Sequence, residues 1–104
     1  MEYTKAMIEI RQTEYFIKWF EKLKDRKARA RIAIRIRRVS LGNLGDAKPV
    51  GDGISELRID YGPGYRVYFT QRNDQLIILI AGGDKTTQVS DIQKAKKLAL
   101  EIEV

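Results

Sequence analysis

Apolar positions fall into one short alternation, three helical stripes and a set of strand-like runs. Met7-Ile8-Glu9-Ile10 alternates and predicts an opening strand. Thr13 is a good helix N-cap with Glu14 in the first turn, and Phe16, Trp19, Phe20 and Leu23 then recur at helical spacing. That aromatic stripe reads as core packing in preference to a platform for stacking bases. Ala28-Arg29-Ala30-Arg31-Ile32 alternates locally, but residues 26–41 exceed usual strand length and hold no Gly or Pro before Gly42. The stretch is therefore read as a helix. It places Ala28, Ile32, Ile36 and Val39 on one face, gathers Lys27, Arg31, Arg35 and Arg38 on another, and stops at Gly42. The two helices form a hairpin jointed near Lys24-Asp25-Arg26.

The second half changes period. Asn43 to Gly53, NLGDAKPVGDG, has the Gly, Asp and Pro of a loop. Leu57, Ile59 and Tyr61 then alternate with Glu56, Arg58 and Asp60, and Gly62-Pro63-Gly64 predicts a tight turn into a returning strand, Tyr65 to Phe69. After a turn at Asn73-Asp74, the unbroken apolar run Leu76 to Ala81 predicts a central strand covered on both faces. Gly82 to Gln88 reads as a polar loop. Ser90 and Gln93 match a capping box for a last helix whose apolar face is Ile92, Ala95, Leu98, Ala99 and Ile102. The order β-α-α-β-β-β-α predicts one α+β domain over residues 1–104, with an antiparallel hairpin sheet packed against helices.

Composition narrows the chemistry. The 104 residues include no Cys and no His, which excludes disulfides, thiolate nucleophiles, imidazole acid–base catalysis and nearly every zinc site. No apolar run approaches the roughly 20 residues that span a bilayer, and MEYTKAMIEI lacks the layout of a secretory signal. A cytoplasmic protein without a membrane partner is expected. The formal charge of +6 is unevenly spread: Lys18 to Arg38 carries ten basic and two acidic residues, while the remainder is slightly acidic. Such a segment favours polyanions or an acidic protein.

Alternation also places possible chemistry. Side chains two apart share a sheet face, so Arg58 and Arg66 become neighbours if the two polar sets face the same side. Lys85, Thr87 and Gln88 can reach that rim from the following loop. Arginine grips phosphate oxygens in a bidentate fork and lysine supplies a point charge. The cluster therefore suits RNA cleavage by attack of a 2′-hydroxyl on its own phosphate, which needs neither metal nor His. On spacing alone, the favoured reading is that the two arginines merely pair with Glu56 and Asp60. Gly82-Gly83-Asp84-Lys85-Thr86 lacks the spacing of a phosphate loop. Nothing in the spacing of Asp60, Asp84 and Asp91 singles out a magnesium site.

The ordered run GISELRI (53–59), GPGYRVYF (62–69), AGGDKTTQ (81–88) and Asp91-Ile92 resembles the HigB-type branch of the RelE/ParE toxin superfamily, the addiction module killer proteins. The resemblance implies a compact RelE-like fold and a toxin of a type II toxin–antitoxin system that cleaves messenger RNA on the ribosome without metal or cofactor. It implies a cognate antitoxin, a helix-turn-helix protein of HigA type. It also assigns the catalytic positions: Arg66 in the GYR motif on the scissile phosphate, Arg58 on the adjacent strand and Lys85 after the last core strand. Arg31, Arg35 and Arg38 of the basic helix, with Tyr68 and Gln88, are then the candidate RNA contacts. Tyr65, Tyr68 and Gln88 are the candidates for proton transfer, since the C-terminal Tyr or His of some relatives has no counterpart in Gln88-Val89-Ser90-Asp91. The alternatives within the superfamily are a ParE-like gyrase poison and an antitoxin-binding module without nuclease activity.

Overall fold

The computed structural model describes residues 7–102, so residues 1–6, which precede the predicted first strand, lie outside it. Five strands form one sheet: β1 (Glu9–Gln12), β2 (Ala47–Gly51), β3 (Ile54–Ile59), β4 (Tyr65–Arg72) and β5 (Leu76–Asp84). Two helices, α1 (Glu14–Lys22) and α2 (Arg26–Ser40), follow β1, and α3 (Gln88–Ala99) follows β5. The spatial order is β1-β5-β4-β3-β2. The last four strands are antiparallel neighbours, but β1 runs parallel to β5. The sheet is thus mixed where a purely antiparallel one was expected.

The unbroken apolar run of β5 is explained by its place inside the sheet, with helices over both faces. Ile77 and Leu79 join Phe16, Ile32, Val39, Leu57, Val67 and Phe69 beneath α1 and α2. Ile78, Ile80 and Ala81 join Ile54, Tyr68 and Ala95 beneath α3. Thr13 caps α1 through its hydroxyl, which accepts from the Phe16 N–H and donates to the Ile80 carbonyl. The helix start is thereby pinned to the central strand. Asp25 caps α2 from the predicted joint, accepting from the Lys27 and Ala28 N–H groups.

Four expectations need correction. The opening strand runs Glu9–Gln12, two residues later than the alternation suggested, because its register is set by pairing with Leu76 to Leu79. The segment read as a loop contains β2, an edge strand that pairs with β3 and bulges between Pro49 and Gly51. Pro survives there because an outer strand has no neighbour to demand its missing N–H. β5 continues through Gly82-Gly83-Asp84 instead of ending at Ala81. Here the two helical layers close on the strand from opposite sides. A Cβ at Gly82 would lie 2.2 Å from the Trp19 ring, and one at Gly83 would lie 1.8 Å from Asp91 Oδ2. Finally, α3 begins at Gln88, two residues before Ser90. The reciprocal cap belongs to Asp84 and Thr87 around a single 3-10 turn, Lys85–Thr87.

Replacing Gly82 by Ala forces Trp19 out of its seat. Overpacking of this kind costs about 1–3 kcal/mol, so thermal denaturation should show a melting temperature lowered by roughly 5–20 °C. Val89→Ala, at a position 74% exposed, should leave it nearly unchanged.

Candidate RNA-facing site

The β3–β4 register sets Arg58 directly opposite Arg66, the juxtaposition that alternation alone left open. Like charges opposite one another in a sheet repel, and each arginine is matched by its own carboxylate. Asp46, just before β2, accepts from Arg58 Nη2 at 2.9 Å and Nε at 3.2 Å. Glu56 Oε1 lies 3.8 Å from Arg66 Nε. The pairing reading was therefore half right: Arg66 has Glu56, but Arg58 has Asp46 and not Asp60.

Glu56 is buried, at 1% exposure, although alternation put it on a polar face. Gln88 Nε2 donates to both its oxygens, at 3.1 and 3.0 Å. Opposite it in the register stands Tyr68, also fully buried, whose hydroxyl has no hydrogen-bond partner among the described residues. Burial first, and the negative Glu56 second, push the Tyr68 phenol well above its ordinary range. Tyr68 is thus a core residue. The expectation that it contacts RNA fails because its face of β4 is covered by α3. Gln88, offered for the same role, points inward to Glu56.

The turn after β3 brings in the third cation. Gly62 and Gly64 take positive φ, and the Lys85 N–H donates to the Pro63 carbonyl at 3.4 Å. Arg66 Nη1 donates to the Gly64 carbonyl at 3.2 Å. Arg58, Arg66 and Lys85 consequently line one open groove of about 410 Å³, with Asp46 and Asp60 at its edges. A second groove of about 230 Å³ shares Ile59 and Asp60 with the first and is walled by Arg31, Arg35 and Arg38. The two sets of basic residues singled out in the sequence thus meet along one surface.

Within that surface the cations differ. Arg35 is half-buried and donates to three backbone carbonyls, of Arg58, Leu44 and Asp46. Burial lowers its pKa, opposed by the nearby Asp46. It locks α2 to the β2–β3 edge. Arg31 lies over the Tyr61 ring at 4.6 Å from the centroid, and the Tyr61 hydroxyl donates to Asp25 Oδ2 at 3.1 Å. That contact ties the β3–β4 turn to the helical joint. Arg38 is exposed.

On the other side of Asp84-Lys85 lies a cleft of about 470 Å³ with Trp19 and Tyr15 on one wall and Gly82-Gly83 as its floor. Asp84 and Asp91 line it, whereas Asp60 belongs to the arginine grooves. The three aspartates are therefore split between two surfaces. Burial raises the Asp91 pKa above its ordinary value, and the hydrogen bond from Thr87 Oγ1 partly offsets this.

One residue of the site was missed in the sequence, Asp46; Glu56 was named as an ion-pair partner but not as a buried one. Asp46 was hidden because the segment it opens read as a loop. The signal for Glu56 was its place in ELR, opposite an aromatic of the returning strand.

Residues 18–102 match the family model described as phage derived protein Gp49-like (DUF891). An uncharacterized protein of Haemophilus influenzae (strain Rd) is 54% identical over 95 residues, covering 91% of this chain and 96% of that protein. The fold is similar to that of the E. coli toxin RelE, solved in the free state as a double arginine-to-alanine mutant. The TM-score is 0.67 at 16% identity, over 92% of this chain and 96% of that one. The expected RelE-like α+β fold is thereby borne out.

Two outcomes follow for this surface. Arg35→Ala should cost about 2 kcal/mol by breaking charged hydrogen bonds to carbonyls, whereas Arg38→Ala should stay within about 0.5 kcal/mol; urea unfolding separates them. Asp91→Asn should stabilise the protein at pH 7. The raised folded-state pKa makes the protonated carboxyl the favoured form, and that advantage is lost as pH rises through it. The gap between variant and parent in melting temperature should therefore close as pH falls towards 3.8, the group's ordinary value.

Proposed function

Because the chain belongs to the phage-derived Gp49-like family, we propose that it is the toxin of a type II toxin–antitoxin system, of HigB type. In this reading it cleaves messenger RNA on the ribosome. The observation that carries the reading is the convergence of Arg58, Arg66 and Lys85 in one groove that runs into the Arg31–Arg38 groove. Three cations around an open cavity match a phosphodiester whose charge grows during reaction, and preorganised charge of this kind is the largest single contribution in many enzymes. The likeness in fold to the RelE toxin supports the same class of activity.

In this reading the three cations carry the mechanism. Arg58 and Arg66, side by side with their own carboxylates, neutralise the two non-bridging oxygens of the scissile phosphate. A ribose 2′-hydroxyl gives up its proton to solvent water and attacks that phosphorus, and the bond to the 5′-oxygen of the next nucleotide breaks. The products are a 2′,3′-cyclic phosphate and a 5′-hydroxyl. In this reading Lys85, exposed at the rim, gives the departing oxygen its proton and regains one from solvent. The exposed cations of α2 hold the surrounding RNA, an attraction that weakens with salt. The partner in this reading is an adjacent helix-turn-helix antitoxin, and the compartment is the cytoplasm, where ribosomes are met.

Regulated expression in bacteria with mapping of transcript 5′ ends tests the proposal. The parent should arrest growth and create new ends within translated codons, and Arg66→Ala should reduce cleavage by about 100-fold or more while remaining folded. Full toxicity of folded Arg66→Ala would overturn its assignment. Arrest without new 5′ ends, abolished by charge reversal at Arg31 and Arg38, would support a non-enzymatic gyrase poison instead.

A further inference from the structure

We propose that Glu56 is a positioning residue that sets the guanidinium of Arg66 for phosphate, with Gln88 as its bracket; the inference rests on the nuclease reading given above. A carboxylate withdrawn from water is costly unless its oxygens are satisfied. Glu56 has 1% exposure, and what satisfies it is specific: one amide that donates to both oxygens, and one guanidinium at 3.8 Å. Neither partner is needed to fill an apolar core. Gln88 stands in the first turn of α3.

The Arg66 end is informative because it is incomplete. Its side chain is only 12% exposed, and its buried Nε–H has no hydrogen-bond acceptor among the described residues. A separation of 3.8 Å is an ion pair and not a hydrogen bond. Glu56 therefore attracts the guanidinium without saturating it. Nη1 is held by the Gly64 carbonyl on the turn that also carries Lys85. The guanidinium is thus drawn inward along one edge and tethered along another while still lining the groove. A bidentate grip needs such a fixed plane, since a freely rotating arginine loses entropy when it binds.

Glu56 touches no substrate in this arrangement. It lies beneath Arg66 and acts through it. Arg58, by contrast, has a carboxylate that is itself exposed, at 55%, and accepts two of its N–H groups directly. The two arginines are therefore not equivalent. Arg58 is neutralised at the surface by a partner that water can replace, and Arg66 is backed by a fixed buried charge.

The test is a double-mutant cycle read in two ways. Glu56→Gln keeps the shape and removes the charge, and Glu56→Asp keeps the charge and withdraws it by one methylene. On programmed ribosomes, Glu56→Gln should lower the cleavage rate at saturating ribosome by about 10- to 100-fold with little change in the ribosome concentration at half-saturation. Glu56→Asp should fall between it and the parent. Combining Glu56→Gln with Arg66→Ala should be no worse than Arg66→Ala alone, within about twofold. Nitrogen-15 spectra of the free protein supply a readout independent of cleavage: the Arg66 Nε–H should exchange slowly in the parent and markedly faster in Glu56→Gln. Faster exchange in the variant of a parent that cleaves no RNA would sustain the positioning role and overturn the nuclease reading. Parental cleavage by Glu56→Gln, losses that multiply in the double variant, or unchanged exchange would overturn the role of Glu56. A variant too unstable to assay for cleavage is judged on Glu56→Asp, whose exchange rate must likewise rise.

Discussion

The structure depends on a register that places two arginines opposite one another across β3 and β4. Left alone, that pair would weaken the sheet. Its cost is offset by Asp46 at the outer edge and Glu56 within, and these carboxylates account for much of the surrounding architecture. Asp46 reaches Arg58 because β3 returns antiparallel along β2, where the Arg58 N–H also donates to the Asp46 carbonyl at 2.9 Å. Glu56 requires a donor from above, which Gln88 supplies from the first turn of α3. A repulsive pair that is retained and individually compensated is an arrangement suited to a shared anion.

The same economy explains the glycines after β5. Gly82 admits Trp19 from α1 and Gly83 admits Asp91 from α3, so both helical layers approach the strand where it hands over to Lys85. The Lys85 N–H is then stitched to the turn at Pro63, and Arg66 to the carbonyl of Gly64. Positions remote in sequence are brought to one groove by backbone contacts instead of by flexible loops. Sites built on such elements hold their geometry more closely.

Much of this was legible from residue order. The Phe16–Leu23 stripe, the Ala28–Val39 face and the apolar run of β5 all declared their partners, because burial on a regular element leaves a periodic trace. The turn at Gly62-Pro63-Gly64 marked the hairpin, but the Arg58–Arg66 juxtaposition waited on the β3–β4 register. What escaped did so for physical reasons. β2 is an edge strand whose Pro49 and Gly51 imitate a loop. The Gly82-Gly83 extension is set by tertiary contact from two helices, which no local pattern records. Glu56 and Tyr68 were expected at a surface, since alternation marks a face as polar but does not reveal that a helix will cover it. The resemblance located Arg58, Arg66 and Lys85, and the structure brings them to one groove, but it sends Tyr68 and Gln88 inward and gives Arg35 to the backbone.

The central claim is that the groove of Arg58, Arg66 and Lys85 seats the scissile phosphate of messenger RNA. A cryo-electron microscopy reconstruction of the protein on a ribosome tests it most directly, using an A-site codon with 2′-O-methyl riboses to block cleavage. The account predicts a backbone phosphate within hydrogen-bond distance of Arg66 and beside Arg58 and Lys85, with RNA running on past Arg31 and Arg38. A bound protein whose groove faces away from the message, or whose contacts lie only along α2, would contradict it.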